Sequence, residues 1–150
     1  MIIISHRGNI EGSEPEKENT VEQINFCFKQ NIPVEVDVWY AKRLFLGHDE
    51  PSIPINLEFL LDNSRSLFIH CKNIEALEYL VDFKSLNVFF HQNDDCVLTS
   101  HGNIWTFPAK PTTAKSIIVC KNEIETLFEC KKSIYGICTD YVNLAKNNTN

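Results

Sequence analysis

Four clusters of reactive side chains punctuate the first half of the chain, each beside or within a short apolar run. His6-Arg7-Gly8 follows Ile2–Ser5. The imidazole can transfer a proton near neutral pH, and the guanidinium beside it offers a fork of donors for a phosphate. Gly8 lets the backbone turn tightly or a ligand approach closely. Glu35 and Asp37 alternate with Val34, Val36 and Val38, so a strand here carries both carboxylates on one face and the valines on the other. Two acids aimed inward from an apolar strand repel each other and resist burial. A divalent cation removes both objections, and hard oxygens suit Mg²⁺, Mn²⁺ or Ca²⁺. The same alternation also fits a solvated edge strand. His48-Asp49 closes the run Leu44–Gly47 and supplies a second imidazole. Two histidines flanking a phosphorus centre can act as base and acid in one displacement. His70 and Lys72, again two apart, place an imidazole and a point-charge ammonium on one face. Alone, His70 fits a hydrogen-bonded core histidine equally well.

The elements that must position these groups alternate between short strands and helices. Ile2–Ser5, Pro33–Val38, Arg43–Gly47, Leu67–Cys71, Asn87–His91, Cys96–Thr99, Ile104–Phe107, Ile117–Cys120 and Tyr135–Thr139 read as extended pieces. Thr20-Val21-Glu22-Gln23 is a capping-box pattern, with Val21, Ile24 and Phe28 on one face of the helix it starts. Asn56 caps a helix through Leu57, Leu60 and Leu61. Ile74, Leu77 and Leu80 or Val81 mark the apolar face of another, and Ile124, Leu127 and Phe128 that of a fourth. Such alternation argues for parallel strands in an α/β fold. Eight strand-like units in 150 residues leave about 19 residues each, against about 31 in a barrel of about 250 residues. The expected fold is a shortened (β/α)8 barrel, a single domain over residues 1–150, with its missing helices between His91 and Ser116. Phe89, Trp105 and Phe107 are then expected to expose apolar surface there, a patch suited to a homo-oligomer.

Composition narrows the partners. The chain has 14 Lys and Arg against 20 Asp and Glu, a net charge of −6. Proteins that bind nucleic-acid backbones are usually basic, so a nucleic-acid partner is not expected. No apolar run approaches the ~18 residues of a membrane span, and Met1–Ser5 is too short for a signal peptide. A cytoplasmic protein is expected. The six cysteines include no C-x-x-C pair and sit mostly in apolar runs, which favours reduced core residues. The tail Asn147–Asn150 reads as a fraying end.

Taken in order, His6-Arg7-Gly8, Glu18-Asn19-Thr20, Glu35-x-Asp37, His48-Asp49 and Lys72 resemble the glycerophosphodiester phosphodiesterase family. Its members begin with H-R-G and continue through P-E-N-T, E-x-D, H-D and a later E-x-K strand. Tyr135-Gly136-Ile137-Cys138-Thr139-Asp140-Tyr141 is similar to the G-I-I-T-D-Y that closes the family's barrel. The likeness covers residues 2–51, 66–73 and 116–142.

The resemblance implies hydrolysis of a small glycerophosphodiester-like or glycan-linked phosphodiester with one divalent cation. It makes His6 and His48 the acid–base pair, Glu35 and Asp37 metal ligands, and Arg7 and Lys72 phosphate holders. Glu18 and Asn19 would line or brace the site. His70 stands where the family places a third metal-binding Glu, and a proline expected beside Glu18 is displaced to Pro15. The segment after His48-Asp49 is short, without the small inserted domain of many members. Trp39, His91 and Asp140 are further candidates to line the site. A non-catalytic relative binding a phospho-sugar or headgroup is the alternative, and a zinc hydrolase using His70, Glu35 and Asp37 is a third reading.

Overall fold

The computed structural model describes residues 1–149. The described residues form a mixed α/β fold with five α-helices and one ten-stranded sheet. Strand β1 spans Ile2–His6, followed by α1 (Val21–Lys29), β2 (Val34–Tyr40), β3 (Leu44–Leu46) and β4 (Ile53–Ile55). Then come α2 (Leu57–Asp62), β5 (Leu67–Cys71), α3 (Ile74–Leu80), β6 (Asn87–Phe90), β7 (Cys96–Leu98) and β8 (Ile104–Thr106). The chain continues through β9 (Ser116–Cys120), α4 (Glu123–Glu129), β10 (Gly136–Thr139) and α5 (Val142–Asn148).

Seven strands run parallel in the order β6-β5-β2-β1-β10-β9-β8. Two antiparallel additions complete the sheet: β3 and β4 fold back from the end of β2, and β7 pairs with β8. The expected all-parallel eightfold barrel therefore differs at β7, which is reversed because only a tight turn separates it from β8. Among the described residues no ladder joins β6 to β7. Ser100, in the turn after β7, bridges that gap: its amide donates to the Val88 carbonyl at 2.9 Å, and its hydroxyl accepts from the Val88 amide at 2.9 Å.

Local chemistry explains the helix starts. Thr20, Asn56, Asn73 and Asn122 each accept a backbone N–H from the first turn of their helices, satisfying donors that the helix leaves unpaired. Gln23 does not reach back to Thr20 to complete the capping box. Its side-chain amide donates instead to the Gly8 carbonyl at 2.8 Å, tying α1 to the loop after β1. Gly8 has φ +95°, and a Cβ there would lie 2.8 Å from Gln23 Cγ, so the glycine serves this turn.

The valines of β2 pack outward with Ile24, Leu60, Ile69 and Leu80 in the layer between sheet and helices. A second cluster of Ile4, Phe68, Phe89, Trp105, Ile117 and Cys138 fills the opposite face. Phe89 and Trp105 are 2% and 3% exposed, with ring centroids 4.4 Å apart. They are inward-facing floor residues, so the expected apolar association patch is absent there, although the stretch from 91 to 115 indeed carries no helix.

Two helix faces also differ from expectation. Helix α4 buries Thr126 and Glu129, while Ile124 and Phe128 are exposed. The Thr126 hydroxyl bonds to the Thr139 hydroxyl at 2.7 Å, a polar anchor that hydrophobic periodicity cannot see. Helix α3 buries Ala76 and Leu80 and exposes Ile74. Asn147 and Asn148 belong to α5, and Asn150 lies outside the described residues. Five of the six cysteines are buried, and Cys96 is exposed. No helix of the described residues is long and apolar enough to cross a membrane.

Candidate active site

The cavity of about 640 Å³ over the inner face is built by a simple repeat. Side chains two apart on a strand share a face. The floor residues Ile4, Phe68, Phe89, Trp105, Ile117 and Cys138 are therefore each followed, two positions on, by a lining residue. Those residues are His6, His70, His91, Phe107, Val119 and Asp140. Glu35 joins this layer from β2, and one step further Lys72 and Lys121 stand at the rim. His48, in the loop after β3, lines the same cavity.

Polar contacts lock the β1–β2–β5 side. His6 Nδ1 lies 2.8 Å from Asp140 Oδ1. Asn9 Nδ2 donates to that same oxygen and to Glu18 Oε1, both at 2.8 Å. Glu18 also accepts from Ser13 Oγ at 2.7 Å and from Arg7 at 3.1 Å. Arg7 Nε forms an ion pair with Asp37 Oδ2 at 2.9 Å. Asn19 holds Asp37 twice, accepting from its backbone N–H at 2.9 Å and donating to Oδ2 at 3.0 Å. Arg7 and Asn19 both have φ +55°, an uncommon conformation that costs an arginine energy and that asparagine tolerates better. Glu18 and Asn19 are thus braces that hold Arg7 and Asp37.

At the centre, Glu35, Asp37 and His70 offer ligand atoms that all lie within 4.8 Å of one another. Glu35 Oε2 and Asp37 Oδ1 are buried without a hydrogen bond. His70 Nδ1 approaches Asp37 Oδ1 at 3.0 Å and Glu35 Oε1 at 3.8 Å, and Lys72 Nζ approaches Asp37 Oδ1 at 3.4 Å. His70 Nε2 faces the His91 carbonyl at 3.0 Å. A carbonyl only accepts, so Nε2 carries the proton and Nδ1 is left to face the two carboxylates. In the neutral ring that is a lone pair among negative oxygens, an arrangement suited to a cation between them. The group could hold a metal ion.

Charge and burial drive the titrating groups apart. Burial of Glu35, reinforced by the charge of Asp37, raises its pKa. Burial acts in the same direction on Asp37, but the His70 ring beside it and the charges of Arg7 and Lys72 prevail and hold it well below the usual carboxylate range. Burial disfavours a charged His6, yet its bond to Asp140 and the charge of Glu35 outweigh this and raise its pKa. His48 is lowered, by burial and then by the charge of Arg7. Its Nδ1 pairs with Asp49 at 2.7 Å, and its side chain is 42% exposed at the cavity mouth. Gly47 shapes this turn: with φ +151°, a Cβ there would meet the Glu50 carbonyl oxygen at 2.1 Å.

Of the residues singled out from sequence, His6, Arg7, Glu35, His48, His70, Lys72, His91 and Asp140 line the cavity together. Asp37 lies fully buried behind them. Trp39 is not among the lining residues, and its indole donates to the Gly47 carbonyl at 2.7 Å, bracing the His48 turn. Asn9, Ser13, Gln92, Val119 and Lys121 escape sequence reasoning, and Phe107, expected at the surface, lines the cavity instead. Carrying the two-residue step along β8 and β9 and past their ends finds Phe107, Val119 and Lys121. Nothing local marks Asn9 or Ser13.

No protein-family model matches the chain, and no curated protein does. Among solved structures, it is similar to a glycerophosphodiester phosphodiesterase from Agrobacterium tumefaciens str. C58. The TM-score is 0.60 at 12% identity, over 97% of each chain. A protein from Galdieria sulphuraria, proposed to have the same activity, aligns with a TM-score of 0.45 at 14% identity, over 97% of this chain and 96% of that one. At 12% identity, the first likeness establishes a shared fold.

Proposed function

We propose that this chain is a metal-dependent phosphodiesterase, a compact single-domain relative of the glycerophosphodiester phosphodiesterases whose parallel strands curl into a short barrel. The observation that carries the reading is the buried Glu35–Asp37–His70 group, in which Glu35 Oε2 and Asp37 Oδ1 lack hydrogen bonds and His70 Nδ1 approaches both carboxylates, inside a cavity that also contains two imidazoles of opposite pKa shift.

Glu35, Asp37 and His70 would hold one divalent cation, which when bound supplies Lewis-acid neutralisation of a phosphoryl oxygen. The mixed oxygen and nitrogen donor set favours metals that accept imidazole, Mn²⁺ ahead of Ca²⁺. Opposed shifts assign the acid and the base. His6, with Nδ1 bonded to Asp140 and its pKa raised, keeps a proton on Nε2 and donates it to the leaving alkoxide. His48, with its pKa lowered, is free to take a proton from the attacking water or substrate hydroxyl. Lys72 and Arg7 add positive charge where the phosphoryl oxygens become more negative, and Glu18 and Asn19 keep Arg7 and Asp37 in register. Chelator-treated protein should hydrolyse a phosphodiester only after a divalent cation is restored. If it binds phosphate with metal yet turns over no diester across a broad panel, the reading of a non-catalytic relative replaces this one.

A further inference from the structure

The proposed chemistry engages one side of the cavity and leaves the other unused. There, Trp105 and Phe107 supply aromatic surface, and His91 stands between Phe107 and His70, with ring centroids 4.4 Å and 6.3 Å away. The His91 side chain is 5% exposed, and neither of its ring nitrogens has a hydrogen-bond partner. The nearest carboxylate, Asp94, is 3.9 Å from Nδ1. Buried polar groups are nearly always paired, so an unpaired imidazole lining a cavity points to a group that arrives from outside. At the rim beside it, Lys121 Nζ sits 5.2 Å from the Phe107 ring centroid, and Gln92 completes the wall.

We infer that His91, Phe107 and Lys121 form a subsite for the alcohol half of the diester, and that this alcohol is a hydroxylated ring such as a sugar. The inference rests on the phosphodiesterase reading and names its substrate class. A neutral imidazole presents one donor and one acceptor, the complement of a hydroxyl. The amide of Gln92 offers the same pair, and Lys121 offers donors alone. An aromatic face suits the flat apolar face of a ring, while the polar groups around it read the hydroxyls at its edge. An apolar ring of the same size would leave His91 buried and unpaired, which is how a site built for a hydroxyl rejects the analogue that lacks it.

The test compares two diesters that share a methyl phosphate: the methyl diester of glucose 6-phosphate and methyl cyclohexylmethyl phosphate. With Mn²⁺ present, the full chain should prefer the sugar diester in kcat/KM by about 10- to 100-fold, the range expected when a buried polar group gains or loses its partner. His91→Phe should collapse that preference, and His91→Gln, which keeps a donor and an acceptor, should restore part of it. Equal kcat/KM for the two diesters, or a preference unchanged in His91→Phe, overturns the inference while leaving the phosphodiesterase reading intact. If neither diester nor any other is turned over, that reading fails, and calorimetry decides the subsite separately. Tighter binding of glucose 6-phosphate than of cyclohexylmethyl phosphate, lost in His91→Phe, supports it, and equal binding overturns it.

Discussion

The two walls of the cavity are made by the same strand geometry but are finished differently. On the β1–β2–β5 wall nearly every polar atom is held by another: Asp140, Asn9, Glu18, Arg7 and Asn19 form a continuous chain of contacts from His6 to Asp37. Its buried atoms without a hydrogen bond, Arg7 Nε, Glu35 Oε2 and Asp37 Oδ1, belong to residues in or against the Glu35–Asp37–His70 cluster. On the β6–β8–β9 wall the described residues form no such chain, and aromatic rings surround an unpaired His91. A preorganised polar wall suits chemistry, because groups fixed in advance need not reorganise as charge develops. A wall of rings with one unsatisfied imidazole suits recognition, where the ligand supplies what the protein lacks.

The largest expected effect falls on the locked wall. His6→Ala and His48→Ala should each lower kcat by about 10²- to 10⁴-fold, the usual range for general acid–base groups. The double variant should lose less than the product of the two, since both act in one reaction. Steady-state kinetics on a metal-loaded sample checks this, and a full-rate His6→Ala enzyme would move the chemistry away from this wall.

Glu35→Gln should separate stability from function. Because burial and Asp37 raise the pKa of Glu35, its ionised form costs the metal-free protein stability at neutral pH. The neutral amide should therefore raise the metal-free Tm by about 2–4 °C, the shift expected for ~1 kcal/mol in a chain of this size. The same variant should lose the thermal stabilisation that Mn²⁺ gives the wild type. A lower metal-free Tm, or a retained Mn²⁺ shift, would show that Glu35 is stabilised by something other than a cation.

An effect of similar size concerns the ion pair between His6 and Asp140. The folded pKa of His6 lies above its ordinary value. The pair's contribution is therefore complete below about pH 6.5, the unfolded histidine's pKa, and is lost as pH rises through the raised folded value. Asp140→Asn should cost about 1–2 kcal/mol more at acidic than at alkaline pH, measured by urea denaturation. A pH-independent cost would mean that Asn9, not His6, is the partner that matters to Asp140.

The smallest effect is expected outside both walls. Ile124 is 80% exposed on α4, so Ile124→Ser should change stability by no more than about 0.5 kcal/mol. Thr126→Val, which removes a buried hydroxyl from its Thr139 partner, should cost more than that, and chemical denaturation ranks the two. The reverse order would restore the apolar face that periodicity assigns to α4.

The walls also differ in how plainly the sequence announces them. Strict alternation in Val34–Val38 exposes the Glu35–Asp37 pair directly, because period two marks a strand with one apolar and one polar face, and His70 and Lys72 repeat it. The two histidines of the proposed acid–base pair are legible from their places after apolar runs. Asn9 and Ser13 are not, since their importance lies in contacts with Glu18 and Asp140 that only the fold brings near. The second wall is hard to read for a physical reason. A run of strands without helices suggests exposed rings, yet a sheet with an inner face buries Phe89 and Trp105 on the side away from any helix. Strand β4 and helix α5 escape the pattern because Ile53-Pro54-Ile55 is too short to show a period and the last turn of α5 is polar.

The central claim is that Glu35, Asp37 and His70 hold a divalent cation on which phosphodiester hydrolysis depends. The most direct measurement is the rate of bis(4-nitrophenyl) phosphate hydrolysis by chelator-stripped protein as Mn²⁺ is added, for wild type and Asp37→Asn side by side. Stripped wild type should show no hydrolysis and a saturable return with Mn²⁺. Asp37→Asn should show no return, although circular dichroism finds it folded. Undiminished hydrolysis by the stripped wild type, or full recovery in Asp37→Asn, would contradict the claim.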